Sequence, residues 1–295
     1  MGPLAQTLAT PVALVALPVV ALLATDGTWS RRAVLLGVPA GSLALWWLLQ
    51  AGDLPDQVMR AALVFTSATF ALASRRPDLS FTHRALLAVA VAALGIGAAF
   101  LLFGWSWQRL HWWVGFRTGA ALRLVLSAAM VASEPGTVDL DRPDFDEVLH
   151  DLVKTSADLF PAALALQLMV CLALAVVAVT RLGRIRIGRP FGTLAEFRFS
   201  EHLGWLLAGA IVLLIVPGLG PARPLAVNLL VVMAVLYGLR GVAVVASGLK
   251  AVGAGPILYG VAAMAVFFVL PGTVILGVLD AGLNLRRRRP PRSGA

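Results

Sequence analysis

Lysine is nearly missing from this chain: Lys154 and Lys250 are its only two, against 22 arginines among 295 residues. Charge of any sign is scarce too, at 13% of residues, where a water-soluble domain carries about 25%. That scarcity excludes an ordinary soluble globular domain. The single cysteine, Cys171, excludes a disulfide or a cysteine-cluster metal site within one chain. It lies inside an apolar run, where a thiol serves as a small hydrophobe against a neighbouring helix. Catalytic signatures are absent as well. There is no Gly-x-Ser-x-Gly, no phosphate-binding Walker loop and no His-Glu-x-x-His. The four histidines, His83, His111, His150 and His202, are never at helical spacing from one another. No catalytic residue, metal ligand set or cofactor is expected, and the chain reads as non-enzymatic.

What is present is apolar. Hydrophobic residues make up 59% of the chain, and the mean hydropathy is +0.88. The runs are apolar all round, and a helix with no polar face needs lipid or other helices on every side. The fold class is therefore all-α, a polytopic membrane bundle. Eight segments can be marked: roughly Thr10 to Ala24, Ala33 to Gln50, Val58 to Ser74, Ala85 to Gly104, Phe160 to Thr180, Leu203 to Leu219, Pro224 to Gly248, and Pro256 to Leu285. Most approach the ~20 residues that cross a bilayer core. The division that follows is 1–104 (four segments), 105–159 (an insert), 160–285 (four segments) and 286–295 (a basic tail).

The insert has two characters. Trp105, Trp107, Trp112 and Trp113 are four of the eight tryptophans, and Arg109, Arg117 and Arg123 accompany them. Indole rings and arginines at this density predict a helix lying along the membrane surface. From Glu134 to Asp158 come eight of the fifteen acidic residues. Asp139, Asp141, Asp144, Asp146 and Glu147 resemble a calcium loop, but the glycine its sharp turn needs is absent and Pro143 interrupts it. A short helix opening at Pro143 or Asp144 is expected instead, with Phe145, Val148, Leu149 and Leu152 on one face.

Basic residues orient the chain. Arg31 and Arg32, then Arg75, Arg76 and Arg84, then five arginines from Arg181 to Arg198 occupy the first, third and fifth connections. The positive-inside rule places those connections in the cytoplasm and the N-terminus outside. The first ten residues carry no lysine or arginine, so the first run is expected to persist as a span and not to be cleaved. Arg286 to Arg289 would then lie outside, against the rule, if three further spans follow. The +9 net charge is thus an orientation signal, and no nucleic-acid partner is expected.

Polar groups inside the runs are costly in hydrocarbon without a partner. They include Gln167, Asn228, Tyr237, Arg240, Asp280 and Asn284. Tyr237, Arg240 and Gly241 share a helix face. Asn228, Tyr237, Arg240 and Asp280 form the candidate ligand-binding set. If the eighth segment is one continuous helix, the expected form, Asp280 lies far deeper than Arg240 and the two cannot pair. Arg240 then turns to Gln167 or to carbonyls near Gly238. The alternative is a reversal at Pro271-Gly272, which would bring the two charges to one depth.

Three stretches carry a family resemblance: Pro190 to Phe199, Asn228 to Val244, and Gly277 to Asp280 followed by Asn284-Leu285-Arg286. The chain resembles the YybS-like group of predicted bacterial membrane proteins over about 180–287. Arg240 departs from the glutamine the pattern would carry, and Asn284 from a second aspartate. That group is distantly similar to substrate-binding S components of energy-coupling-factor transporters. The resemblance implies a non-catalytic component of the bacterial inner membrane that binds or helps translocate a small molecule with partner subunits. The alternative is a scaffold that recruits envelope proteins through 105–159.

Overall fold

The computed structural model describes residues 3–26, 30–76, 78–132, 143–185, 187, 197, 199–200, 202–216, 218, 222–283 and 285. Side chains are described at these positions apart from 3–11, 26, 129–132, 143–146 and 267. Every regular element among them is helical. The chain divides into two compact units, Met1–Arg189 and Pro190–Ala295.

The first unit holds α1 (Pro3–Asp26), α2 (Arg31–Leu48), α3 (Leu54–Ala73), α4 (Phe81–Leu102), α5 (Trp107–Ala132), α6 (Pro143–Asp158) and α7 (Phe160–Arg181). Local chemistry sets the starts. Ser30 and Ser80 accept hydrogen bonds from the backbone N–H groups of Ala33 and His83, satisfying donors that a helix start leaves orphaned. Prolines occupy the first turns of α3 and α7, where the missing N–H costs nothing. The short α6 opens at Pro143 as expected.

Two buried apolar layers are stacked along this unit. One joins the end of α1 (Leu22), the start of α2 (Ala33), the end of α3 (Phe70), the start of α4 (Ala85) and the end of α7 (Val179). The other joins Leu14, Trp47, Val58 and Leu168 with Leu110 of α5. Five helices therefore alternate in direction, and the Arg31, Arg75 and Arg181 connections share one end. Asp53, α5 and the start of α7 share the other. Lipid tails are as apolar as leucine, so close packing must come from small residues that let backbones approach. Ala13, Ala62, Ala85, Ala88 and Ala175 are all fully buried at these contacts.

The second unit is built on α9 (Arg223–Ala251), against which α8 (Leu203–Ile215), α10 (Pro256–Phe268) and α11 (Leu270–Leu283) pack. The eighth apolar segment is not the continuous helix expected. It breaks at Val269, and the two arms are bent by 101°. Pro271 supplies the reason. Within a continuous helix it would clash with the carbonyl of residue 267 and remove a hydrogen bond, whereas in the first turn of a new helix it does neither.

Three helices among the described residues, α4, α7 and α9, are long and apolar enough to cross a membrane, and the bent α10–α11 pair makes a fourth if it counts as one span. The described fold thus supports three or four spans by length and composition, fewer than the eight marked from hydropathy. The large exposed side chains, such as Leu94, Leu101 and Ile257, form the surface a bilayer would cover.

Candidate functional site

Arg240 and Asp280 meet. The Arg240 Nε donates to Asp280 Oδ2 at 2.8 Å, and its Nη2 donates to the Asp280 backbone carbonyl at 3.1 Å. Both residues are about 2% exposed or less. Asp280 lies in the last turn of α11, whose final carbonyls lack intrahelical donors. One guanidinium thus neutralises the carboxylate and satisfies a helix-end acceptor. The sequence expectation that these charges cannot pair is overturned by the α10–α11 bend.

The pairing requires α9 and α11 to cross in backbone contact. A Cβ at Gly241 would fall onto the Thr273 carbonyl oxygen, and one at Gly277 onto the Tyr237 carbonyl. Only glycine fits at either position, as in other close helix crossings. Tyr237 turns from the pair to Phe199, with ring centroids 5.1 Å apart at 81°. The Arg240 guanidinium lies 5.2 Å from the centre of the same Phe199 ring, a cation–π distance. Its Nη1 has no hydrogen-bond partner among the described residues, and the ring face lies against the guanidinium instead.

Asn228 does not join this group. Twelve residues before Arg240, it is about 18 Å away along α9, and its Nδ2 donates to the Pro224 carbonyl at 2.8 Å. Gln167, one of the two kinds of partner expected for Arg240, lies on α7 in the first unit and is exposed. Asn284 lies outside the described residues, as do Asp139 and Asp141 of the acidic stretch. Three of the four candidate residues therefore converge, and two of those three bond directly to each other.

A different site is hollow. In the first unit a cavity of about 370 Å³ opens between α3, α4, α5 and α7. Val58, Val89, Gly97, Trp107, Phe160 and Leu168 are among its walls, and none of the described residues that line it is charged. Hydropathy could not reveal it, because its walls look like any other apolar positions. The faint signal is the small-residue series Ala92, Ala93 and Gly97 on α4, which leaves space where other helices place leucine.

At the same end of the bundle α5 is fastened to α3. Arg117 donates to both Asp56 carboxylate oxygens at 2.7 and 2.8 Å and to Asp53 at 2.9 Å, a two-pronged geometry suited to guanidinium. The bonded Arg117 holds the Asp56 carboxyl below its ordinary range, outweighing the opposing effect of partial burial. Arg117 is in turn held more firmly protonated, chiefly by its bond to Asp56. On the neighbouring α6, Asp158 meets His111 of α5 at 3.0 Å. Val153 packs against Gly115 and would contact a Cβ there at 3.5 Å, while Val148 and Leu152 are 63% and 48% exposed. On α6 it is therefore Val153, and not Val148 or Leu152, that meets α5 at Gly115.

A family model described as "Predicted membrane protein (DUF2232)" matches residues 8–281. No curated protein and no solved structure matches.

Proposed function

The chain belongs to the DUF2232 family of predicted membrane proteins, and from that premise we propose that it is a non-catalytic, multi-pass component of the bacterial inner membrane that binds a small apolar ligand. The supporting observation is the charge-free cavity between α3, α4, α5 and α7. Its volume falls within the ~300–1,000 Å³ usual for ligand pockets. The reading keeps the small-ligand role that the YybS-like and S-component resemblance implies and moves its seat. Arg240, Asp280 and Tyr237 then hold α9 to α11, and Asn228 stabilises the start of α9. The arginine-rich end of the first unit faces the cytoplasm in this reading, with partner subunits supplying any energy for transport.

Titration of purified protein with an environment-sensitive apolar fluorophore tests this. Saturable one-to-one binding that Gly97→Phe abolishes is expected, because a Cβ at Gly97 meets nothing within 4 Å and a ring there fills the cavity. Binding that never saturates, or that ignores the substitution, would sink the proposal. The scaffold reading has one observation in its favour, the exposed Val148 and Leu152 beside Glu147 and Asp151 on α6. Co-isolation of an envelope protein lost on Val148→Ser/Leu152→Ser, with no fluorophore site, would favour that alternative.

A further inference from the structure

The cavity has a direction as well as a volume. On α4 its walls run from Phe100 to Val89, eleven residues or about 16 Å of helix, and on α7 from Phe160 to Leu168. It is therefore a slot parallel to the helix axes, hence parallel to lipid chains for any helix crossing the bilayer. Trp107, on the α5 wall, is 42% exposed and neighbours Trp105, Trp112 and Trp113 in sequence, residues whose rings favour the headgroup level. The far end, at Val89 and Leu168, lies toward the middle of the bundle. One side is open laterally: Ala93 and Gly97, four residues apart on one α4 face, are both exposed and line the slot.

We infer that the slot seats one acyl chain of a membrane phospholipid, entering sideways past Ala93 and Gly97, with its headgroup at the level of the α5 tryptophans. This rests on the ligand-binding reading above and names the ligand class. Shape separates the occupants. At about 30 Å³ per water-sized group, 370 Å³ takes roughly a dozen methylenes, which matches one chain extended along a 16 Å wall. A compact polar vitamin would leave most of its hydrogen-bonding groups without partners against a lining that is almost entirely apolar. The bilayer supplies chains at high local concentration in the orientation the slot demands, so little orientational freedom is lost on entry.

Native mass spectrometry of the full chain, released from detergent after exhaustive washing, reads the occupant directly. One phospholipid mass per chain is expected, falling roughly tenfold in Gly97→Phe and in Ala93→Leu. It should be retained in Gly209→Phe, a helical glycine of the second unit whose Cβ also meets open space. Two blocking variants guard against one that misfolds, and equal thermal unfolding of all four proteins establishes folding. Wild type without a bound lipid overturns the inference, as does lipid that survives both blocking substitutions. A retained adduct of non-lipid mass, displaced by the same substitutions, overturns the lipid assignment while leaving ligand binding standing. No adduct together with no saturable fluorophore site removes both.

Discussion

Replacing Asp280 with alanine leaves Arg240 as a buried cation whose Nε has lost its acceptor, with the residue-280 carbonyl and the Phe199 ring still facing the guanidinium. Removing one partner from a buried ion pair costs about 3–5 kcal/mol, because the surviving charge remains desolvated. A charged side chain held at membrane depth costs about 2.5–3.5 kcal/mol on insertion scales, which agrees at the lower end. Taking about 3 kcal/mol, and roughly 2–4 °C of melting temperature per kcal/mol for a large chain, Asp280→Ala should unfold about 6–12 °C below wild type. The net worth of the pair is a different quantity. Arg240→Met/Asp280→Leu removes both charges, and it should lie within about 1 kcal/mol of wild type, since apolar replacement of a buried pair is often neutral. Thermal unfolding in detergent, followed by intrinsic fluorescence, compares the three proteins. A near-wild-type Asp280→Ala would refute the lock between α9 and α11. Unchanged stability with lost fluorophore binding would instead return Arg240 and Asp280 to the ligand site.

Cysteines at Gly238 and Val274, in a chain with Cys171→Ala, should form a disulfide on mild oxidation. A Cβ at Gly238 lies 3.7 Å from Val274 Cγ2, so side chains at the two positions are in van der Waals contact, and a mobility shift on non-reducing gels reads it. Failure to cross-link would support the continuous eighth helix. Cysteines at Ala51 and Asp78, both exposed and at opposite ends of the first unit, should label from opposite sides of intact cells, with 78 shielded from an impermeant maleimide. Labelling of both from one side would contradict the alternating helices of that unit. Asp56 has a folded-state pKa below its unfolded one, so its bond to Arg117 contributes fully above the unfolded value. That contribution is lost as pH falls through the folded one, beginning below about pH 4. The protection of the α5 amides against hydrogen exchange, taken relative to the intrinsic rate at each pH, should fall in that acid range, and Arg117→Gln should lower it already at neutral pH. A pH-independent α5 in wild type would mean the clasp does not hold it.

Composition and periodicity alone determined the class. Apolar runs with almost no acidic residues and no polar stripe read as helices surrounded by lipid or by other helices, since each such helix satisfies its own backbone polar groups. Capping serines and first-turn prolines act through neighbouring backbone atoms, so Ser30, Ser80, Pro143 and Pro224 mark helix starts where local rules place them. The costly polar residues were legible too, since Arg240 and Asp280 stood out against their surroundings. Their pairing was not, because it depends on whether Pro271 ends a helix or bends one, a choice decided by what packs around it. Glycines 241 and 277, thirty-six positions apart in the chain, let α9 and α11 touch, and that crossing stabilises the break. The cavity was hidden for a related reason. An alanine facing a leucine and an alanine facing empty space read identically along the chain, so only the arrangement of α3, α4, α5 and α7 decides which positions enclose a void.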